Sequence, residues 1–211
     1  MPFEIETFVL GPLETNCYVL HGEQECWVVD PGMGAGMLSE HLRRQGKAPG
    51  RILLTHGHAD HIGGLSEMKA EFPRALVCCP EGDAPMLIDA RANLSSDFGF
   101  PLTAPPPDEV LRPGQALTLG TWVWEVLDTA GHTPGGVSYY CRQGGVVLTG
   151  DALFAGSIGR VDLPGASASL LLRNIAAHLL TLPDETRVLP GHGPASTIGR
   201  ERRSNPFLAG A

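Results

Sequence analysis

Lysine is scarce in this chain. Of fifteen cationic side chains only Lys47 and Lys69 are lysine, and twenty-three acids outweigh them to a formal charge of −8. An acidic surface repels phosphate backbones, so no nucleic-acid partner is expected. The opening "MPFEIETFVLGPLE" has no basic stretch ahead of an apolar core, which excludes an ordinary secretory signal there. No apolar run approaches the roughly 20 residues of a membrane helix, so no membrane partner is expected either. The five cysteines (Cys17, Cys26, Cys78, Cys79, Cys141) are odd in number and form no CxxC. Reduced, buried thiols in a cytoplasmic protein are the expectation. No GxSxG occurs, so nothing points to a serine nucleophile. What the chain does have is 211 residues with 43% hydrophobic content, enough for a sizeable core.

The first third reads as short strands, "FEIETFVLG", "NCYVLHG" and "ECWVVDPG", each closed by turn residues. "MLSEHLRRQG" places Leu38, His41 and Leu42 at helical spacing and stops at Gly46. "RILLT" is a buried strand, "HIGGLSEMKAEF" a helix, "ALVCCP" a strand and "DAPMLIDARANL" a helix. Residues 95–113 hold five prolines and read as an irregular loop, either a linker or a segment leaning over a site. The second half repeats the style with strands "ALTLG", "WVWEVLDT", "GVSYYCR", "GVVLTG" and "TRVLP". One helix, "SASLLLRNIAAHLLTLP", opens on a serine cap and closes at Pro183. Two packed sheets with helices outside would bury both apolar sets. Trp122 and Trp124 share one strand face and are read as core. His21, His41 and His178 lack ligand-type neighbours and are read as ordinary histidines.

One stretch stands apart. "RILLTHGHADHIGG" sets His56, His58, Asp60 and His61 within six positions directly after a strand. Asp30, His132, Asp151 and His192 also follow strand-like runs within a few residues. If those strands run the same way, their carboxyl ends bring these side chains to one crevice. Imidazole and carboxylate without thiolate suit zinc or iron. The set exceeds one tetrahedral ion and is enough for two ions that share a carboxylate and keep an open position, which argues for catalysis.

At these residues the sequence resembles the metallo-β-lactamase fold hydrolases, whose HxHxDH signature "THGHADHIGG" matches. The similarity runs from "DPG" at 30–32 to "PGHGP" at 190–194. It implies an α+β protein, a four-layer αββα sandwich of two mixed sheets with helices on the outer faces. It implies one domain over 1–211, with halves of about 1–94 and 114–211 joined by the Pro-rich loop. His56, His58 and His132 would bind a first metal. Asp60, His61 and His192 would bind a second, with Asp151 bridging and Asp30 orienting a ligand through a hydrogen bond. Two divalent ions are implied, zinc ahead of iron or a mixed pair.

Within that superfamily, "LFAGSIGRVDLPGAS" and "ERRSNPFL" resemble small bacterial members of the glyoxalase II branch, which hydrolyses S-lactoylglutathione. The implied activity is attack of metal-activated water on a small-molecule thioester, with Asp60 also a candidate for proton transfer and Arg160 for holding a substrate carboxylate. Two departures stand against it. The C-terminal helical domain of fuller glyoxalase II enzymes has no counterpart before Ala211, and Gly57 and Ala59 stand where many of them have histidine. The cluster Arg200, Arg202 and Arg203 is read as a solvated face or an anion site. Alternatives are a one-iron persulfide dioxygenase, whose relatives also carry "HADH", a lactonase or β-lactamase, and a non-catalytic metal binder.

Overall fold

The structure is a computed structural model that describes residues 4–209. Phe3, which the sequence places in the first strand, lies outside the described residues, as do the ends 1–3 and 210–211 of the expected domain. Two six-stranded sheets dominate. The first is built from β1 (Glu4–Leu10), β2 (Thr15–His21), β3 (Cys26–Val29), β4 (Pro49–Leu53), β5 (Leu76–Pro80) and β6 (Glu109–Leu111), ordered as in sequence. β1, β2 and β3 pair antiparallel, and β3 to β6 pair parallel. The second sheet contains β7 (Ala116–Leu119), β8 (Trp122–Asp128), β9 (Val137–Cys141), β10 (Val146–Gly150), β13 (Arg187–Pro190) and β14 (Ser196–Thr197). Its order is β14-β13-β10-β9-β8-β7, with only β10 and β13 parallel. A small hairpin, β11 (Leu153–Phe154) with β12 (Ser157–Ile158), follows β10.

Period-two alternation sets the layers. In β3, Trp27 and Val29 face the second sheet and join Trp124, Tyr139 and Leu148 between the sheets. Val28 faces the other way, onto α1 (Gly36–Arg44) and α3 (Leu65–Glu71), where it meets Leu38, Leu42 and Met68. In β10 the inner residues are Val146 and Leu148, while Val147 packs outward on α4 (Ala168–Asn174) through Leu171 and on Ile198 of α5 (Ile198–Ser204). The layers are therefore helix, sheet, sheet, helix, as the sequence implies. Trp122 packs against the same inner cluster as Trp124.

Several elements differ from the sequence reading. The helix expected at 83–94 is a 3-10 helix over Glu81–Ile88 that contains Pro85, and turns follow it. The helix expected from His61 is two pieces, α2 (Ala59–Ile62) and α3, separated by Gly63 and Gly64. The helix opened by Ser167, whose side chain caps Leu170 N at 3.4 Å, turns into a π-helix over Ile175–Leu179. The Pro-rich loop ends earlier than expected, since residues 109–111 pair with β5. The first sheet therefore extends to Leu111, beyond the expected boundary at 94. The hairpin β11–β12 and α5 had no counterpart in the sequence reading. Among the described residues no helix is long and apolar enough to cross a membrane. All five cysteines are free and buried. Burial pushes the Cys26 and Cys78 thiols up to about 11.

Candidate metal centre

The carboxyl ends of five strands meet at one edge. Asp30 follows β3, His56 and His58 follow β4, His132 follows β8, Asp151 follows β10 and His192 follows β13. Asp60 and His61 lie on α2, the short helix that the "HGHADH" stretch enters at Ala59. Main-chain and side-chain bonds lock the two sheets together there. Asn16 N donates to Gly191 O at 2.7 Å, Tyr18 OH to Pro190 O at 2.6 Å, and Val137 N to Thr55 O at 2.9 Å. Close approach demands glycine at 191. A Cβ there would collide with Asp151 Oδ1 and lie 2.7 Å from His61 Cε1.

The sequence-nominated residues converge. The ligand atoms of His56, His58 and His132 lie within 4.8 Å of one another, and so do those of Asp60, His61 and His192. Asp151 sits between the two trios: Oδ1 is 3.3 Å from His61 Nε2, and Oδ2 is 3.6 Å from both His132 Nε2 and His192 Nε2. Asp30 is buried behind them. It accepts from Thr55 N at 2.7 Å, Thr55 Oγ1 at 2.6 Å and His61 Nδ1 at 3.0 Å.

These outer bonds fix which nitrogen of each ring points inward. His132 Nδ1 donates to Arg160 O at 2.8 Å, and His192 Nδ1 donates to Leu13 O at 2.9 Å. His61 Nδ1 donates to Asp30, and His56 Nδ1 donates to Thr55 Oγ1 at 3.0 Å. Four Nε2 lone pairs are thereby turned inward. His56 Nε2 and Asp151 Oδ1 are buried with no hydrogen-bond partner. Buried polar atoms are normally paired, so two orphans aimed into one cluster fit a cation held between them.

Electrostatics divide the two trios. Burial and the neighbouring imidazoles push His58 down to about 3 and hold His56 well below the usual histidine range, so both stay neutral with free lone pairs. Burial would also depress His61, but Asp60, Asp151 and Asp30 raise it well above that range. Burial would raise the Asp60 and Asp151 carboxyls, yet His61 and His192 hold both down. His61 Nε2 and His192 Nε2 face each other at 3.4 Å with two carboxylates beside them. Such a set calls for positive charge at its centre, which a proton or a divalent cation can supply.

The cluster forms the floor of a cavity of about 470 Å³. The loop reading that leaned over a site has support here, since Phe98 from that segment lines the mouth. Arg160 lines it as well, but its guanidinium is exposed and bidentate to Asp162 at 2.9 Å. The C-terminal arginines do something else. Arg202 bonds Asp184 and the carbonyls of Leu180 and Leu182, and Arg203 bonds Asp184 at 3.1 Å. Arg202 and Arg203 thus fasten α5 to the turn before β13 and do not line the cavity. His21 and His41 share Glu6, as ordinary structural histidines do.

Four residues escaped the sequence reading. Thr55 relays Asp30 to His56. Asp83, fully buried, accepts from Gly57 N at 3.0 Å and Gly135 N at 2.6 Å, tying the His56–His58 loop to the His132 loop. Glu201, also fully buried, accepts from Gly156 N at 2.7 Å, and Asn205 Nδ2 donates to Ser157 O at 3.0 Å. Those two explain the "ERRSNPFL" segment: it braces the hairpin that walls the cavity. Asp83 stands among Gly and Pro in "PEGDAP", and Glu201 and Asn205 lie in the segment singled out by resemblance, but neither setting pointed to these bonds.

The sequence pattern of the metallo-β-lactamase superfamily matches residues 10–192. The "Probable metallo-hydrolase YqgX" of Bacillus subtilis (strain 168) is 40% identical over 202 residues, covering 95% of each chain. The "Hydroxyacylglutathione hydrolase GloC" of Haemophilus influenzae is 34% identical over 207 residues, covering 97% of each. Among solved structures, BLEG-1 B3 metallo-β-lactamase superposes with a TM-score of 0.93 at 42% identity, over 98% of this chain and all of that one. TTHA1623 in a di-iron-bound form gives 0.87 at 38%, over 96% and 100%.

Proposed function

The chain belongs to the metallo-β-lactamase superfamily, and from that premise and its paired ligand trios we propose that it hydrolyses a thioester of the hydroxyacylglutathione type using two divalent ions. Membership makes it a metal-dependent hydrolase. The observation that carries the two-ion reading is the pair of inward-facing trios with Asp151 between them, and the thioester reading draws on the likeness to GloC. His56, His58 and His132 would hold one ion and Asp60, His61 and His192 the other, with Asp151 shared between them, and Asp30 orients His61 through its hydrogen bond. Nitrogen and oxygen donors without thiolate fit zinc first, and iron next. The di-iron form of TTHA1623 supports iron as the alternative.

When bound, such ions lower the pKa of a coordinated water to about 7 and polarise a carbonyl. The chain's own groups do the rest. Asp60 Oδ2, 3.1 Å from His192 Nε2 at the cavity floor, is placed to take a proton. A thiolate leaves with little protonation, so no strong general acid is needed. Arg160, at the mouth, would take a substrate carboxylate by exchanging it for Asp162. The glutathione identity draws on the likeness to GloC.

A second reading has one specific observation behind it. His56, His61 and Asp151 also lie within 4.8 Å of one another, and two histidines with one carboxylate are the donor set of mononuclear iron oxygenases. A persulfide dioxygenase would use that set. A lactone or β-lactam would meet the same site as a thioester, so both belong in a substrate panel. The direct test is His58→Ala, which should remove metal and S-lactoylglutathione hydrolysis together. Hydrolysis that survives metal loss would overturn the proposal.

A further inference from the structure

The walls of the cavity differ from its floor. Leu94 and Phe98 come from the segment after the 3-10 helix, Phe154 and Ile158 from the hairpin, Leu163 from the loop beyond, and Met33 from the turn after β3. Apolar side chains from four separate parts of the chain thus converge above one polar floor. Phe98 is 55% exposed and stacks on Phe100, itself 42% exposed, with ring centroids 6.1 Å apart. Single exposed apolar residues are ordinary, whereas a converging set at a cavity mouth marks surface that a ligand covers. The hairpin half of the wall is held in place by Glu201 and Asn205. Among the described residues of the wall the one Arg or Lys is Arg160, which is paired with Asp162.

We propose that, among the thioesters it hydrolyses, the cavity favours those whose acyl group is apolar and several carbons long, or aryl, over the small lactoyl group. This rests on the thioester reading above. About 470 Å³ lies within the roughly 300–1,000 Å³ of pockets that enclose a drug-sized ligand, which leaves room for an acyl group of several carbons beside the sulfur end of the thiol half. A polar, charged thiol half would be poorly matched to the aromatic and aliphatic wall, so that wall belongs to the acyl half. Each methylene moved from water onto such a wall contributes about 0.8 kcal/mol, close to a fourfold gain in binding.

The test is a series of glutathione thioesters carrying lactoyl, butanoyl, hexanoyl and phenylacetyl groups, with the metal-loaded protein. The expected result is a kcat/KM that climbs about fourfold per added methylene from butanoyl to hexanoyl and exceeds the lactoyl value. Calorimetry with S-methyl, S-butyl and S-hexyl glutathione, which cannot be hydrolysed, should show Kd falling in the same order. Phe98→Ser, at an exposed position where folding is not at stake, should lower the hexanoyl-to-lactoyl ratio at least fourfold. A flat or falling series overturns the apolar-acyl proposal alone. Hydrolysis of no member overturns the thioester reading and this proposal with it.

Discussion

Asp30→Asn is the most discriminating single change at the centre. Asp30 sits at φ +52°, a left-handed conformation that Asn also tolerates, so the backbone has little reason to move. What changes is one oxygen. In the wild type Oδ1 accepts from Thr55 N, and Oδ2 accepts from both Thr55 Oγ1 and His61 Nδ1. Either orientation of an amide sets its NH₂ against a buried donor: the Thr55 N–H one way, His61 Nδ1–H the other. One buried donor left unpaired costs roughly 1–3 kcal/mol. If it is His61, the ring loses the bond that turns Nε2 toward Asp60, Asp151 and His192. Losing such an outer hydrogen bond typically weakens metal affinity about 10–100-fold, or about 1.4–2.8 kcal/mol. Competition with a chelator of known affinity measures this for each ion, and thermal unfolding of the metal-free variant measures the structural cost separately. A variant that binds both ions with wild-type affinity would refute the idea that Asp30 orients the centre.

Asp83→Ala should leave Gly57 N and Gly135 N unpaired, at roughly 1–3 kcal/mol each, and a denaturant titration should show a loss of roughly 2–6 kcal/mol with weaker metal binding. Acid should act on the Glu6 contact in a defined direction. Burial would raise the Glu6 carboxyl, but His21 and His41 hold it below its usual 4.5. The stability that wild type holds over Glu6→Gln is therefore full above about pH 4.5 and fades as pH falls through the lowered folded-state value. A gap between the two proteins that persists unchanged at lower pH would contradict this. A thiol reagent at neutral pH should modify none of the five cysteines until the protein unfolds, since all are buried and burial keeps Cys26 and Cys78 near 11.

The ligand edge was readable because each donor follows a strand and most stand beside glycine, which lets the backbone turn into the crevice. His132, Asp151 and His192 could be found this way although more than seventy positions separate the first of them from His58. The layers were readable from alternation, as in Trp27, Val28 and Val29. What escaped had no period. Thr55 is one threonine at a strand end, and Asp83 one acid in a turn. Both matter through bonds to residues far along the chain. The hairpin β11–β12 has two residues per strand, too few to alternate, and exists because Glu201 and Asn205 hold its turn. The 81–94 region misled through its spacing: a 3-10 helix over Glu81–Ile88 and turns stand where the apolar spacing read as one helix. Arg160 stood as a candidate for a substrate carboxylate, and its pairing with Asp162 and the bond from His132 to its carbonyl were not legible in "GSIGR".

Titrating metal-free protein with zinc while following S-lactoylglutathione hydrolysis tests the two-metal claim most directly. Two ions per chain, with hydrolysis appearing as they bind and absent in His58→Ala, is the predicted result. One ion per chain, with no thioester cleavage but oxygen uptake on a persulfide when that ion is iron, would contradict it.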